Sequence, residues 1–482
     1  MQPLDDTIAA LATAPGPAGL AVLRVSGERA LELSDRVFRG KAPLALAAGH
    51  TLHHGWAVDA AHRDAAGRET RLDEVVAAVF RAPRSYTGED TVEWSCHGGE
   101  VCARRVLAAL RAAGARLAGP GEFTLRAFLR GRMDLAQAEA VADVIHAETE
   151  SASDLALAQL SGALSRRLAG IEDRITDAAA EVEARVDFAE DVGGVEVPDH
   201  VCEAIADVAS ELEALLAGAP WARAVREGVR VPLVGLPNAG KSSLFNALLG
   251  EDRAIVAAEP GTTRDRVSER VVISGVPVTL SDTAGVRVAP AHVEALGVER
   301  ALAALEGAAL ALWVVDGSRP LAPACDPLVP HLAGRRVLVA LTKSDLGTSC
   351  PEAAPVAALA REPKSVDGVG PERDAGAAFR VVRVSAVTGD GLERLRAALA
   401  SLLGADRAGG LAGAVANPRH TDALARARAA LARAGEAARA GAPGEIVALE
   451  LRECLSAIGE VSGRSAGEDL LERIFARFCI GK

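Results

Sequence analysis

Gly235-Leu236-Pro237-Asn238-Ala239-Gly240-Lys241-Ser242 stands between an apolar run at 229–234 and a helical pattern at 243–249. A G-x-x-x-x-G-K-S segment in that setting reads as a phosphate loop. Its glycines let the backbone curl until successive N–H groups point at phosphate oxygens, and the helix behind it aims its positive dipole end at the same place. Lys241 is then placed to reach the β- and γ-phosphates, with Ala239, Gly240 and Ser243 around them. The Ser242 hydroxyl is placed to ligate Mg²⁺. The competing reading is a structural glycine turn, and the segments further along the chain weigh against it.

Gly261-Thr262-Thr263-Arg264-Asp265 follows at switch distance, and Asp282-Thr283-Ala284-Gly285 comes directly after the apolar run 276–280. Thr342-Lys343-Ser344-Asp345 follows the run 336–341, and Ser385-Ala386-Val387 begins where the run 379–384 ends. Each of these landmarks is expected at the C-terminal end of a predicted strand, where open α/β sheets bind ligands. Asp345 is the base reader, because a carboxylate accepts two hydrogen bonds from the N1–H and amine of guanine and adenine offers no such pair. The nucleotide is therefore GTP. One gap stands out: the place just after Asp282-Thr283-Ala284-Gly285, where many GTPases carry a water-orienting glutamine, is Val286.

Around this centre, 482 residues are more than one domain needs, and 49% hydrophobic residues supply large cores. With 65 acidic against 53 basic residues the net charge is −12, which argues against a chain that coats nucleic acid or anionic membrane by itself. The seven cysteines form no C-x-x-C pair, as in a reducing compartment. The apolar N-terminal stretch is broken by Pro15, Gly16, Pro17 and Gly19, so neither a signal peptide nor a membrane span is expected, and the chain reads as cytoplasmic. Arginine dominates the bases. Of only five lysines, two are Lys241 and Lys343 and a third is the last residue, Lys482.

The fold class expected is multidomain α/β. Residues 1–120 mix short strands (19–25, 50–58, 74–80, 90–96) with helical patterns at 29–38 and 101–113, which suggests a small α+β domain. Within it, Thr87-Gly88-Glu89-Asp90 and Cys96-His97-Gly98-Gly99 read first as tight turns. Residues 134–187 are almost continuous helical pattern, 201–216 continue it, and the missing helices return at 421–478. The helical domain is thus expected to be discontinuous, 121–220 and 406–482, with a Ras-like P-loop GTPase domain inserted at 221–405. Pro232 is out of place in a central strand. Residues 347–377 read as a surface excursion without regular structure.

The closing Phe478-Cys479-Ile480-Gly481-Lys482 resembles the C-[ILV]-G-K signature of the tRNA-modification GTPases called MnmE or TrmE. Leu23-Arg24-Val25-Ser26-Gly27, Thr87-Gly88-Glu89-Asp90, His97-Gly98-Gly99, Pro120-Gly121-Glu122-Phe123-Thr124-Leu125-Arg126-Ala127-Phe128 and Asp134-Leu135-Ala136-Gln137-Ala138-Glu139 are similar to the same family, so the likeness spans the chain.

That resemblance implies the following. Mg²⁺ is held by Ser242 and Thr263, with Asp282 behind a water. A potassium ion stands in for an arginine finger, held by Asn238 and by Ala257, Glu259 and Thr262, when two GTPase domains meet; Ala258, Pro260 and Gly261 share that nucleotide-facing segment. Ala257 replaces the family's frequent threonine, and Thr342 its asparagine; the threonine hydroxyl still donates one hydrogen bond toward the base or the phosphate loop. The water-orienting carboxylate falls on Glu294, which by sequence alone would pass as a helix-surface residue. The N-terminal domain dimerises and binds 5,10-methylenetetrahydrofolate, or its analogue 5-formyl-tetrahydrofolate, through Arg24, Glu93, Arg132 and Lys482. Cys479 is either a thiol nucleophile near that folate or a small residue that packs the tail. The implied reaction adds an aminomethyl or carboxymethylaminomethyl group to C5 of the wobble uridine of certain tRNAs. It is carried out by a homodimer in a heterotetramer with an FAD-dependent partner of the GidA or MnmG type. The rival reading is a regulatory or ribosome-assembly GTPase that does no carbon chemistry.

Overall fold

The computed structural model describes residues 6–63, 67–187, 196–250, 267–282, 301–321, 326–360, 379–405, 413–465 and 467–482. Two compact units divide the chain: 1–142 with 458–482, and 143–457.

In the first unit, β1 (Ile8–Leu11), β2 (Leu20–Ser26), β3 (Phe38–Gly40), β4 (Thr51–Arg63), β5 (Glu69–Phe80), β6 (Thr91–His97) and β7 (Arg116–Leu117) form one sheet in the order β3-β4-β5-β6-β2-β1-β7. Every pairing is antiparallel except β1 with β7. Alternation puts Leu23, Val25, Ala77, Val79, Val92 and Trp94 on one face, and the helices Ala30–Val37 and Glu100–Ala112 close over it with Leu33, Val37, Val106 and Leu110. The predicted strands and both helices are present. β1 and β7 were not foreseen, since Ile8-Ala9-Ala10-Leu11 has no alternation and alanine little strand preference.

The polar cluster at Thr87-Gly88-Glu89-Asp90 is a buried ionic network. Arg126, 1% exposed, meets Asp6, Glu89 and Glu122; Arg116 adds to Asp6 and Glu122, and Ser26 donates to Glu89. Burial alone would raise the Asp6 and Glu122 pKa values, but hydrogen bonds from Arg116 and Arg126 hold both below the usual carboxylate range. The network fixes the unpredicted helix Glu122–Leu129, which carries Phe123.

The second unit holds β8 (Val229–Val234), β9 (Val267–Ile273), β10 (Val276–Asp282), β11 (Ala311–Asp316), β12 (Val337–Thr342) and β13 (Phe379–Arg383), in the order β13-β12-β11-β8-β10-β9. All neighbours run parallel except β9 with β10. The ladder of β8 to β11 begins only at Leu233, so Pro232 stands where one flank of its strand is not yet paired. The helix read as ending near Leu216 runs on as Asp199–Glu227, through Pro220, because Trp221, Ala222 and Val225 pack under the sheet. Helix Glu150–Leu160 joins that core with Ala152 and Leu155, beside Ile273, Val276 and Val278. The excursion at 347–377 is also corrected in part: Ala353–Ala360 is helical, and Ala358 and Leu359 share a buried cluster with Cys350.

Candidate functional site

β8 ends at Val234 and the helix Lys241–Leu249 starts seven residues later, so Gly235–Gly240 must reverse the chain between them. Gly235 (φ 148), Asn238 (φ 62) and Gly240 (φ 94) take positive φ to do so. A side chain on Gly235 would stand 2.2 Å from the Val314 carbonyl, so β11 packs against the base of the loop. Lys241 is buried, and its ammonium donates to the carbonyls of Gly235 and Leu236 at 2.8 Å each. Ser242 and Ser243 are exposed on the first helical turn. Asp282 is the residue opposite Leu233 in the β10–β8 register, which puts its backbone beside the start of the loop.

On the other flank, the Thr342 hydroxyl lies within donating distance of two carbonyls, that of Ala239 in the phosphate loop at 2.5 Å and that of Val315 at 3.1 Å, so it is held between the loop and β11. Lys343, held at φ 60, reaches the Asp316 carboxylate at 2.7 Å. Burial would raise the Asp316 pKa, but Lys343 and Ser318 hold it low. Asp345 accepts from the Ser385 hydroxyl at 2.6 Å, and that same oxygen accepts the N–H groups of Val387 and Thr388. The two base-side segments therefore orient one carboxylate together. Val387 itself is 84% exposed, and Ala386 lies between it and Ser385. Asp316 was missed by sequence reading, although it too closes an apolar strand, at Val315-Asp316-Gly317. Ala257, Ala258, Glu259, Pro260, Gly261, Thr262, Thr263, Thr283, Ala284, Gly285 and Glu294, and the Asp282 side chain, lie outside the described residues. A cavity of about 1390 Å³ among the described residues of this unit is lined by Val229, Arg230 and Arg336 at the opposite end of the sheet from the phosphate loop.

In the first unit a second constellation forms. Arg24 and Glu93 are direct cross-strand partners on β2 and β6, and Nε and Nη2 of the guanidinium both bind Glu93 Oε1 at 2.8 Å. Tyr86 and Phe123 stack on the same guanidinium, 4.6 and 5.5 Å from its carbon. Arg24 Nη1 is buried and meets no acceptor among the described residues. The chain's last residue arrives here: Phe123 N–H donates to the Lys482 carbonyl, and Gly121 N–H to that of Cys479. Gly481, at φ 99, passes so close to Leu11 that a side chain would stand 2.3 Å from its carbonyl oxygen. Burial lowers the Lys482 pKa, Arg24 lowers it further and Glu93 opposes. Two cations and one carboxylate thus converge, with a guanidinium nitrogen awaiting an acceptor. Such a set fits an anionic ligand. Arg132 is exposed, its Cγ beside Gly88, and no described contact joins it to the cluster. Cys479 is exposed, so the tail is packed by Phe478 against Phe475 and not by the thiol. Tyr86 and Phe123 gave no signal of their own in sequence.

A mostly parallel sheet that carries a phosphate loop, an aspartate and a paired base-reading segment on its strand ends defines a P-loop GTPase of Ras-like build. Two family models match: MnmE helical domain over residues 135–479, and GTP-binding protein TrmE N-terminus over 7–132. Among curated relatives, tRNA modification GTPase MnmE of Symbiobacterium thermophilum is 44% identical, covering 99% of this chain and 100% of that one. The protein of the same name from Thermus thermophilus is 43% identical with the same coverage. The G domain of the T. maritima FeoB iron transporter is a structural likeness at 26% identity and TM-score 0.25, covering 36% of this chain and 98% of that one. The TM-score is too low for that likeness to bear on the assignment. On the family models and the full-length relatives, the chain belongs to the MnmE family.

Proposed function

We propose that this chain hydrolyses GTP in the service of tRNA modification, and that its two sites divide the labour: the phosphate loop turns over nucleotide while the Arg24–Lys482 constellation holds a folate. The observation that carries the reading is the convergence of Arg24, Glu93 and the terminal Lys482 in a chain that also has a guanine-reading GTPase site. In the GTPase domain, at 221–405, Lys241 neutralises the β- and γ-phosphates and Asp345, oriented by Ser385, selects guanine. Ser242, with Thr263, is suited to hold Mg²⁺, and Asn238 offers an amide oxygen for K⁺ alongside Ala257, Glu259 and Thr262; bound there, the two cations would supply positive charge beside the phosphate oxygens. Glu294 orients the attacking water in place of the absent glutamine at Val286. Two copies dock through these faces for turnover.

In the N-terminal domain, Arg24 Nη1 and Lys482 receive the carboxylates of a folate tail, and Glu93 Oε2, left over by the Arg24 pair, accepts from a pterin N–H. Arg132 adds long-range attraction from the surface. 5,10-Methylenetetrahydrofolate bound there would supply only the methylene that joins C5 of the wobble uridine to nitrogen; ammonium as the amine would give the aminomethyl group and glycine the carboxymethylaminomethyl group, with an FAD-dependent partner of the GidA or MnmG type taking part. Cells that lack this chain are expected to lose the modified wobble nucleoside and to regain it with the intact gene, as read by mass spectrometry of digested tRNA. An unchanged nucleoside profile in the deletion would leave the regulatory or ribosome-assembly GTPase instead. Turnover in potassium should exceed that in sodium at least tenfold, and Asn238→Ala should erase the difference.

A further inference from the structure

The turn between β9 and β10 is a two-residue hairpin, Ser274 at φ 51 and Gly275 at φ 83. Its tip touches the N-terminus of helix Glu150–Leu160. Thr149 is that helix's N-cap: its hydroxyl oxygen accepts from Ala152 N–H at 3.1 Å, and the same hydroxyl donates to the Gly275 carbonyl at 2.9 Å. A side chain on Gly275 would come 2.2 Å from the Ser151 hydroxyl oxygen, so the contact tolerates glycine alone. Glu148 pairs with Arg270 of β9 beside it. Beneath the tip, Ala152 and Leu155 are buried in one core with Ile273 and Val276. A single hydroxyl thus caps a helix and anchors a hairpin over a shared core.

The far end of the same hairpin is the nucleotide side. β10 runs seven residues from Val276 to Asp282, roughly 20 Å at strand rise. Its last residue is paired with Leu233, at the root of the phosphate loop. The strands therefore form a short stiff lever with one end beside the root of the phosphate loop and the other clamped on a helix. We propose that Thr149, with Gly275 and Ser151, is the positioning contact through which helix Glu150–Leu160 follows the nucleotide state. The inference rests on the GTPase reading above and adds the residues that carry its output. The apolar contacts with Ile273 and Val276 would also follow the hairpin, but they are non-directional; the Thr149 hydrogen bond is the directional contact that fixes how the helix follows when β10 shifts.

The test is hydrogen exchange of peptides within 150–160 on the full-length chain, bound to GDP or to a non-hydrolysable GTP analogue. In the unaltered protein the two states should differ at least threefold in exchange rate. Thr149→Asp keeps a helix cap and removes the donor to Gly275, so it should abolish the difference while nucleotide affinity stays within twofold. Thr149→Ser, which retains both bonds, should restore it. Gly275→Ala should act like Thr149→Asp. The proposal is overturned if the unaltered protein shows no state-dependent difference, if Thr149→Asp keeps it, or if Thr149→Asp loses nucleotide binding as well. A normal exchange response in a chain that supports no tRNA modification would sink the functional reading and leave the clamp standing.

Discussion

The two sites of this chain are built in opposite ways. The nucleotide site is a row of loops on the ends of neighbouring parallel strands, and each loop follows its strand directly: Gly235 after β8, Asp316 at the end of β11, Lys343 after β12 and Ser385 after β13. The tail site gathers residues 24, 86, 93, 123 and 482 from the two ends of one unit, and its central cation is already paired, stacked and buried. The first kind of site depends on strand order and tolerates side-chain solvation. The second depends on a docked C-terminus and an uncompensated guanidinium nitrogen, so it couples ligand binding to folding of the unit that holds it.

If that contrast is right, Lys241→Ala gives the largest loss. Removing the ammonium should weaken GTP binding about a hundredfold, equivalent to roughly 2.7 kcal/mol, as read by titration with a fluorescent GTP analogue, a larger effect than the loss of its two bonds to the loop carbonyls has on the melting temperature. Arg24→Ala should do the reverse. It strips Glu93 of its partner and two rings of their cation, costing roughly 2 kcal/mol of unit stability, less than for a fully buried pair because Glu93 is 27% exposed. Denaturation with urea should register it while GTP turnover persists.

A smaller effect separates recognition from grip. Asp345→Asn removes one of two acceptors for guanine but can both accept from and donate to xanthine, so GTP affinity should fall about tenfold. Affinity for xanthosine triphosphate should rise in the same titration; a loss for both nucleotides would mean that the Ser385–Asp345 pair only supports the loop. The smallest effect is expected from Lys482→Met. Burial and Arg24 depress the Lys482 pKa, so the undocked tail binds more protons than the docked one. Docking should therefore strengthen as pH rises toward the ordinary lysine value of roughly 10.4. Lys482→Met should remove that pH dependence, seen as equal tail protection from carboxypeptidase at pH 7 and pH 9.5, and should still weaken capture of 5-formyl-tetrahydrofolate.

The same contrast explains what could be read from the chain unaided. Local motifs fix the nucleotide site because the chemistry is contiguous: the glycines of the phosphate loop, Lys343 and Asp345 announce themselves by their spacing after apolar runs. Even so, Asp316 escaped, since a lone aspartate after a strand carries no motif. The tail site was legible only through likeness to a family. Nothing in composition or periodicity relates Arg24 to Glu93 until the β2–β6 register makes them opposite neighbours, or brings Lys482 beside them until Gly481 slips past Leu11. Helix ends were misjudged where packing overrides local preference: Asp199–Glu227 passes Pro220 because Trp221 and Val225 have a core to enter.

The central claim is that nucleotide turnover and carbon transfer are separate tasks joined in one chain, and removal of Cys479–Lys482 tests it most directly. Phe478 stays in place to pack against Phe475. GTP turnover by the shortened protein and its ability to restore the modified wobble uridine in cells lacking the full chain are measured side by side. Turnover within twofold of the intact protein, with no modified nucleoside, is the predicted result. Full restoration of the nucleoside without the tail, or collapse of turnover along with it, would contradict the division of labour.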